Sequence, residues 1–473
     1  MRAIRKSEHG VIIGRRFALD VRGGFMAQDS GFLKTWKKIG DLPWELYYFL
    51  LIFADRYIRA FLIGIFVETT DAVNHYFYAI EKYTFLIGFA VLGFRILDVI
   101  LTHRKPRWGW SSLFLALFCA GVLASTFYNF GNEFMYDYMK KLAVNECLIV
   151  TLVFFNVSVF SVKKKFDNAV RWCGYLVFFS VLALNILSLG LYFAGPNPSV
   201  TLFGKVFEKQ ALYSGGHAGD AAPRYYGFFT YPTTLGFRCY LACVLGMHLR
   251  HKGQLNSVLV LINVILSSMM IVISDTRSGM VAMGIILLFY VYEILKKNLN
   301  AVKAKRLVAG GLLAAALLYG LLRFPVLKTQ FAAASQDPLH ALDTLSSERL
   351  ELWYNSLKLF RSSPLFGRGW SVQLTDAQNN THNLFMTLLA WFGLSGFVPF
   401  MLFLISALIQ MVRHRLRWRA NPYLLCLVLC VVMQSMIDVA IIGDMRNPAT
   451  YMFWLVIGFF CSGCADTFRS DGE

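Results

Sequence analysis

The sequence predicts an all-α, polytopic membrane helix bundle of about twelve transmembrane helices, with one large, partly helical external loop. Three observations lead there. Of 473 residues, 57% are hydrophobic and only 16% charged, whereas soluble domains carry roughly a quarter charged residues. Apolar stretches of about 20 residues, the length that crosses a bilayer, recur along the chain. Lys and Arg gather between alternate stretches, the pattern that orients polytopic proteins. A disordered chain, a disulfide-stapled secreted module and a collagen-like fibre are excluded on the same composition. The net charge of +18 belongs to the loops of such a bundle, and no nucleic-acid partner is expected.

Taken in order, residues 1–42 form a basic tail with nine Lys and Arg and no cleavable signal sequence. Candidate spans follow at 46–68, 81–101, 110–129, 143–162, 172–195, 225–248, 256–274, 278–295, 307–323, 383–411, 421–441 and 448–465. Asp55, Arg56 and Arg59 interrupt the first, which reads as a short interfacial helix leading into an uncleaved signal span. With a cytoplasmic N-terminus, the connections on that side hold Arg104, Lys105 and Arg107, then Lys163 to Lys165 with Arg171, then Arg250 and Lys252. Lys296, Lys297, Lys303, Lys305 and Arg306 come next, and Arg413, Arg415, Arg417 and Arg419 close the series, eighteen basic residues in all. The short connections 69–80 and 442–447 on the other side carry only Arg446. Both termini are therefore expected in the cytoplasm, the C-terminal tail being 467–473, with one transmembrane domain over 43–466. Long external loops are expected at about 196–224 and 324–382. Within the second, Ser346 or Ser347 can cap a helix that places Leu350, Trp353, Tyr354, Leu357 and Phe360 on one face, and Pro364 ends it. Gly367 and Gly369 then give a tight exit. Such a helix lies on the membrane or roofs a cavity.

Nine cysteines, at 119, 147, 173, 239, 243, 426, 430, 461 and 464, fall in or beside spans and away from the long loops. They read as small apolar packing residues and not as a disulfide framework. No histidines cluster with them, so no metal site is expected. Walker A, GxGxxG and D-x-D patterns are absent from the sequence, and no cofactor is expected. Energy for any reaction must then arrive with the substrate or from a gradient.

Three external turns each carry one polar residue at a helix end. Arg224 precedes Tyr225, Tyr226 and Gly227; Arg277 lies in Ser274-Asp275-Thr276-Arg277-Ser278-Gly279; His382 lies in Thr381-His382-Asn383-Leu384. Two guanidiniums at the bilayer edge suit a diphosphate through charge-assisted bidentate bonds, and an imidazole can take a proton from a sugar hydroxyl. Plainer roles stand beside these. The arginines also suit lipid-phosphate anchors, Arg277 could pair with Asp275, and His382 could simply start a helix. Asp98, Asp438, Asn145 and Glu146, in or near spans, would carry protons in a transporter. Arg349, opening the loop helix, either meets substrate or is solvated.

Four blocks in order carry a likeness: Arg224-Tyr225-Tyr226-Gly227 with Tyr231-Pro232; Ser274 to Gly279; Glu348-Arg349-Leu350-Glu351-Leu352-Trp353 with Pro364-Leu365-Phe366-Gly367-Arg368-Gly369; and His382-Asn383-Leu384 with Trp391-Phe392-Gly393-Leu394-Ser395-Gly396. Over 224–396 the chain resembles the O-antigen ligase and polymerase superfamily of bacterial membrane glycosyltransferases, departing at Tyr231-Pro232-Thr233 from a common Pro-Asn pair. The resemblance implies a metal- and nucleotide-independent transferase in the bacterial inner membrane, working on its periplasmic face. Its donor would be a glycan on undecaprenyl diphosphate, and its acceptor a sugar of the lipid A core or another lipid-linked glycan. Arg224 and Arg277 would hold the diphosphate and His382 would orient or deprotonate the acceptor hydroxyl, with Arg349, Asn383 and Tyr225 touching substrate. A ligase, a repeat-unit polymerase of the same chemistry, and a lipid-linked glycan or solute transporter are the readings carried forward.

Overall fold

A computed structural model describes residues 35–36, 38–39, 42–66, 70–102, 109–131, 151–158, 163–194, 199–202, 205–208, 225–229, 232–274, 276–298, 349–369, 381–418, 422–436 and 448–461. Nearly all of these are helical. In chain order the elements are α1 (Trp44–Phe66), α2 (Thr70–Thr102), α3 (Trp110–Tyr128), α4 (Lys163–Phe193), β1 (Ser199–Leu202), β2 (Lys205–Glu208), α5 (Pro232–His251) and α6 (Ser257–Ile273). Then come α7 (Arg277–Asn298), α8 (Arg349–Ser362), α9 (Leu384–Trp418), α10 (Pro422–Ser435) and α11 (Pro448–Cys461).

Among the described residues three helices are long and apolar enough to cross a membrane, Trp110–Tyr128, Phe166–Phe193 and Leu384–Arg413, and five shorter apolar helices accompany them. The expected span at 307–323 lies outside the described residues, as does most of that at 143–162, of which 151–158 is helical. The expected capping serines 346 and 347 also lie outside them. Within the first long loop the expected all-α architecture has an exception: β1 and β2 pair as an antiparallel hairpin, with Val200 opposite Phe207 and Thr201 opposite Val206. β-branched and aromatic residues over two four-residue runs favour that extended pairing.

The helices bury an aromatic-rich core in which Phe154, Phe403 and Trp454 meet, the last two stacked at 5.4 Å. Polar ties fix the register of particular pairs. Arg95 of α2 donates to Glu45 of α1 at 2.6 Å, with Asp98 at 3.9 Å, all three buried. Asp98, a proton-carrier candidate of the transporter reading, thus sits in an ion-pair cluster between the first two helices. Asp438, Asn145 and Glu146 lie outside the described residues. Asn185 of α4 donates to Ser267 of α6 at 2.9 Å and lies beside the Cys239 thiol of α5. The seven described cysteines are all free thiols.

The closest partnership is between α3 and α9, which run antiparallel. Ser111 bonds Ser406 and Gln410 at one end, and Ser125 donates to the Trp391 carbonyl at 3.0 Å toward the other. Between them Gly121 lies so close to the Ser395 carbonyl that a Cβ would collide with it. Ser395 is also the residue four before Pro399, which has no N–H to offer its carbonyl.

α9 is broken two residues before Ser395. Gly393 takes φ +58° and ψ −154°, outside helical geometry, so the helical bonds across it cannot form. A loop takes their place. The Leu394 and Ser395 amides donate to the Pro364 and Leu365 carbonyls at 2.8 and 2.9 Å, while the Ala390 and Trp391 carbonyls accept from the Arg368 and Gly369 amides, both at 2.9 Å. Ser125 and Asn129 of α3 bond the Phe366 and Gly367 carbonyls from the third side. Each otherwise unpaired backbone group would cost several kcal/mol in a bilayer, so the splice stabilises both the break and the loop.

The splice leaves no room for side chains. Gly367 has φ +66°, and a Cβ there would lie 2.5 Å from the Trp391 carbonyl; one on Gly393 would lie 2.6 Å from the Pro364 oxygen. Gly393→Ala is therefore expected to cost about 3 kcal/mol or more through left-handed strain plus backbone collision. Gly93→Ala, which meets open space within α2, should leave stability unchanged or raise it slightly. Thermal unfolding of the two detergent-purified variants checks this; equal midpoints would show the splice to be unimportant.

Candidate functional site

The helix ends that meet at one face of the bundle bring two of the three turns singled out in the sequence together. Thr381, His382 and Asn383 lead into α9. Asn383 caps that helix, its Oδ1 accepting from the Phe385 and Met386 amides at 2.9 and 3.2 Å, as Asn does at an N-terminus. Its Nδ2 donates to the Met436 carbonyl just past α10, at 3.1 Å. Two residues earlier Gln434 reaches Ser278 in the first turn of α7 at 3.4 Å. Arg277 is the first residue of α7. The bonds Asn383–Met436 and Gln434–Ser278 thus link the His382 turn to the backbone that presents Arg277.

That backbone is itself closely packed. Ser274 and Thr276, both buried, share a 2.7 Å hydroxyl bond. A Cβ on Gly236 of α5 would lie 2.9 Å from the Thr276 methyl. The Ser-x-Thr turn and a glycine on the neighbouring helix let α5, α6 and α7 converge here. Asp275, the alternative partner for Arg277, lies outside the described residues, as does Arg224.

Tyr225 and Gly227, next to Arg224, dock on the end of α4. The Tyr225 hydroxyl donates to the Ser188 carbonyl at 2.6 Å, and the Phe228 amide donates to Ser188 Oγ at 3.0 Å. The Tyr225 hydroxyl is buried in this contact. Its bond is to protein backbone, and so are those of Asn383. Tyr225 and Asn383 each hold a turn through these bonds.

His382 is half-buried between two anchored neighbours. Among the described residues it is the one non-glycine with φ in the left-handed region, at +51°. That conformation costs about 1–2 kcal/mol for a residue with a Cβ and persists only where surroundings impose it. Thr381 Oγ1 donates to the Asn383 carbonyl at 2.6 Å and accepts from the Asn383 amide at 3.0 Å, with Thr387 Oγ1 at 2.7 Å. Trp353 Nε1 of α8 donates to the Thr381 carbonyl at 3.0 Å. The sequence reading named His382 but missed Thr381 and Trp353, although a Thr two residues before a capping Asn is a signal for such a turn.

The loop helix α8 buries Leu352 and Ser356, with Trp353, Leu359 and Phe360 half-buried; the five residues grouped from the sequence share one face beside that stripe, and Leu350, Tyr354 and Leu357 on it are exposed. Arg349 begins the helix one turn before Trp353, half-buried and on the same side. A further cation, unnoticed in the sequence, is Arg238 of α5. Its buried guanidinium stands 5.6 Å from the Tyr57 ring of α1, and Tyr57 bonds Ser180 of α4. It joins three helices within the bundle. Among the described residues no three His, Cys, Asp or Glu side chains gather to hold a metal ion.

With that geometry in place, comparison with known families is decisive for one stretch of chain. Residues 262–401 match the O-antigen ligase family. The matched segment runs from within α6 through the Arg277 turn, α8, the Gly393 splice and the His382 turn, and supports the O-antigen ligase superfamily. No curated protein matches the chain. The ligase-family match together with apolar helices of spanning length indicates an integral membrane protein of polysaccharide biosynthesis.

The cap in this ligase-family segment gives a stability prediction. Asn383→Ala removes two capping bonds and the tie to Met436, at an expected cost of about 1–2 kcal/mol. The measurement is the shift in unfolding midpoint; an unchanged midpoint would mean the turn is held without it.

Proposed function

We propose that the protein is an O-antigen ligase-type glycosyltransferase, moving a glycan from undecaprenyl diphosphate to a sugar hydroxyl of the lipid A core. The observation that carries this is the ligase-family segment at 262–401, within which the Arg277 helix start and the strained His382 turn are tied to one another through α10. In the proposed step the acceptor oxygen forms a bond to the anomeric carbon as the bond from that carbon to the diphosphate oxygen breaks, with inversion. The acceptor proton passes to the His382 imidazole, which acts as the general base. The diphosphate leaves with its charge stabilised by Arg224 and Arg277, so neither a metal nor a nucleotide is required. Arg349, on the side of α8 that faces the Thr381 turn, contributes to holding the substrates.

The lysine- and arginine-rich connections favour a cytoplasmic location for both termini. Under that orientation Arg277 and His382 open to the periplasm, where lipid-linked glycans and lipid A core meet. A repeat-unit polymerase would use the same step with a lipid-linked glycan as acceptor.

The test is the glycan profile of a deletion strain complemented with variants. Arg277→Ala and His382→Ala should each abolish transfer while protein level and membrane insertion stay normal, with Arg349→Ala milder. Polymer held on undecaprenyl beside bare core supports the ligase. Core bearing a single repeat with no ladder shifts the reading to the polymerase. Normal ladders in both alanine variants would remove Arg277 and His382 from the site.

A further inference from the structure

We infer that Trp353 is a positioning residue for His382: its indole N–H holds the peptide plane that enters the histidine and so sets where the imidazole stands. The inference rests on the proposed role of His382 and goes beyond it in naming what aims that side chain.

The backbone conformation of a residue is the relation between its two flanking peptide planes. For His382 both planes are held. The 381–382 plane carries the Thr381 carbonyl, which accepts from Trp353 Nε1 at 3.0 Å. The 382–383 plane carries the Asn383 N–H and the His382 carbonyl, and its N–H donates to Thr381 Oγ1 at 3.0 Å. The second hold is local, made within three residues. The first comes from 28 residues away, and therefore depends on where α8 lies.

α8 in turn has little freedom. Its C-terminal exit, Pro364 to Gly369, is spliced by four main-chain bonds into the break of α9. α8 and the first part of α9 are thus joined at both ends, through Trp353 and Thr381 at one and through the splice at the other. Ser356 is buried between these ends and Leu352 just before the first. In a frame fixed at its far end, the indole N–H acts as a stop against which the Thr381 carbonyl rests. Loss of that N–H frees the 381–382 plane to turn toward the extended conformation that a histidine otherwise prefers, carrying the imidazole away from the acceptor hydroxyl. Displacements of about 1 Å at a reacting group cost roughly a hundredfold in rate.

The same bond could instead serve only to staple α8 to α9, and the experiment separates the two. Full-length protein in proteoliposomes is assayed with an undecaprenyl-diphosphate glycan donor and lipid A-core acceptor, recording kcat, both KM values and the unfolding midpoint. Trp353→Phe keeps an aromatic ring and removes the N–H. The expected result is a kcat lower by about ten- to a hundredfold, with both KM values within about twofold and the midpoint unchanged, the pattern of an interaction made in the transition state alone. Thr381→Val, which releases the other plane at nearly constant volume, is expected to show the same split and stands in if the first variant fails to fold. A kcat that falls only in step with the midpoint in both variants would show a staple and overturn the inference. Wild-type kcat in Trp353→Phe, beside an inactive His382→Ala, would overturn it while leaving the proposed function standing. An active His382→Ala would overturn both.

Discussion

Four main-chain hydrogen bonds between the 364–369 loop and the two ends of broken α9 govern the rest of the architecture. A helix interrupted at Gly393 leaves two amides and two carbonyls without helical partners, and the backbone of the 364–369 loop satisfies all four. The loop does so only because Gly367 and Gly393 can turn left-handed with no Cβ between the chains. Once it is spliced in, α8 has a fixed end, α9 has a fixed bend, and Ser125 and Asn129 of α3 gain the carbonyls they bond. The polar groups at this level of the bundle thus come from three segments distant in sequence.

What the splice supports is a turn with unfavourable backbone geometry. A left-handed histidine would relax if either neighbour were loose, and each is bonded away from the chain's local path. Thr381 is tied to α8 through Trp353, and Asn383 to α10 through Met436. The cost of the conformation is of the same size as one or two net hydrogen bonds, and the turn has several. These bonds hold His382 in a conformation it would not keep alone.

The helical character of the chain and the polar residues at its helix ends were legible in the sequence, because both leave marks that need no tertiary information. Apolar length and basic loops outline spans, and Arg or His at a helix end stands out against lipid-soluble neighbours. The helix around Trp353 and its termination before Pro364 were legible for the same reason: each depends on residues a few positions apart. The splice was not. Gly367 and Gly369 marked a tight exit, but nothing nearby says that their backbone would meet residues 390–395, or that the apolar run beginning at 384 would bend at Gly393. The same holds for Arg238 under Tyr57 and for the Glu45–Arg95 pair, whose partners lie on other helices. The β1–β2 hairpin went unread because four-residue strands in a long loop give almost no periodic signal. The ties of Tyr225 to Ser188 and of Asn383 to Met436 were equally out of reach, since their partners lie 37 and 53 residues away.

The bond from Ser125 to the Trp391 carbonyl joins residues 266 positions apart, and that separation has a consequence for biogenesis. At about 5–20 residues per second, α3 is made some 13–50 s before the chain that completes it. For that interval it sits in the bilayer with polar groups facing no partner of their own from α9. Asn129 meets this wait inside its own helix, donating to the Ser125 carbonyl at 2.9 Å, so α3 can be released from the insertion machinery already half satisfied. The seam between α3 and α9 must then close by lateral movement within the membrane, after translation has passed the ninth helix. A ribosome-nascent chain halted just short of the His382 turn would carry every earlier helix and still lack the seam.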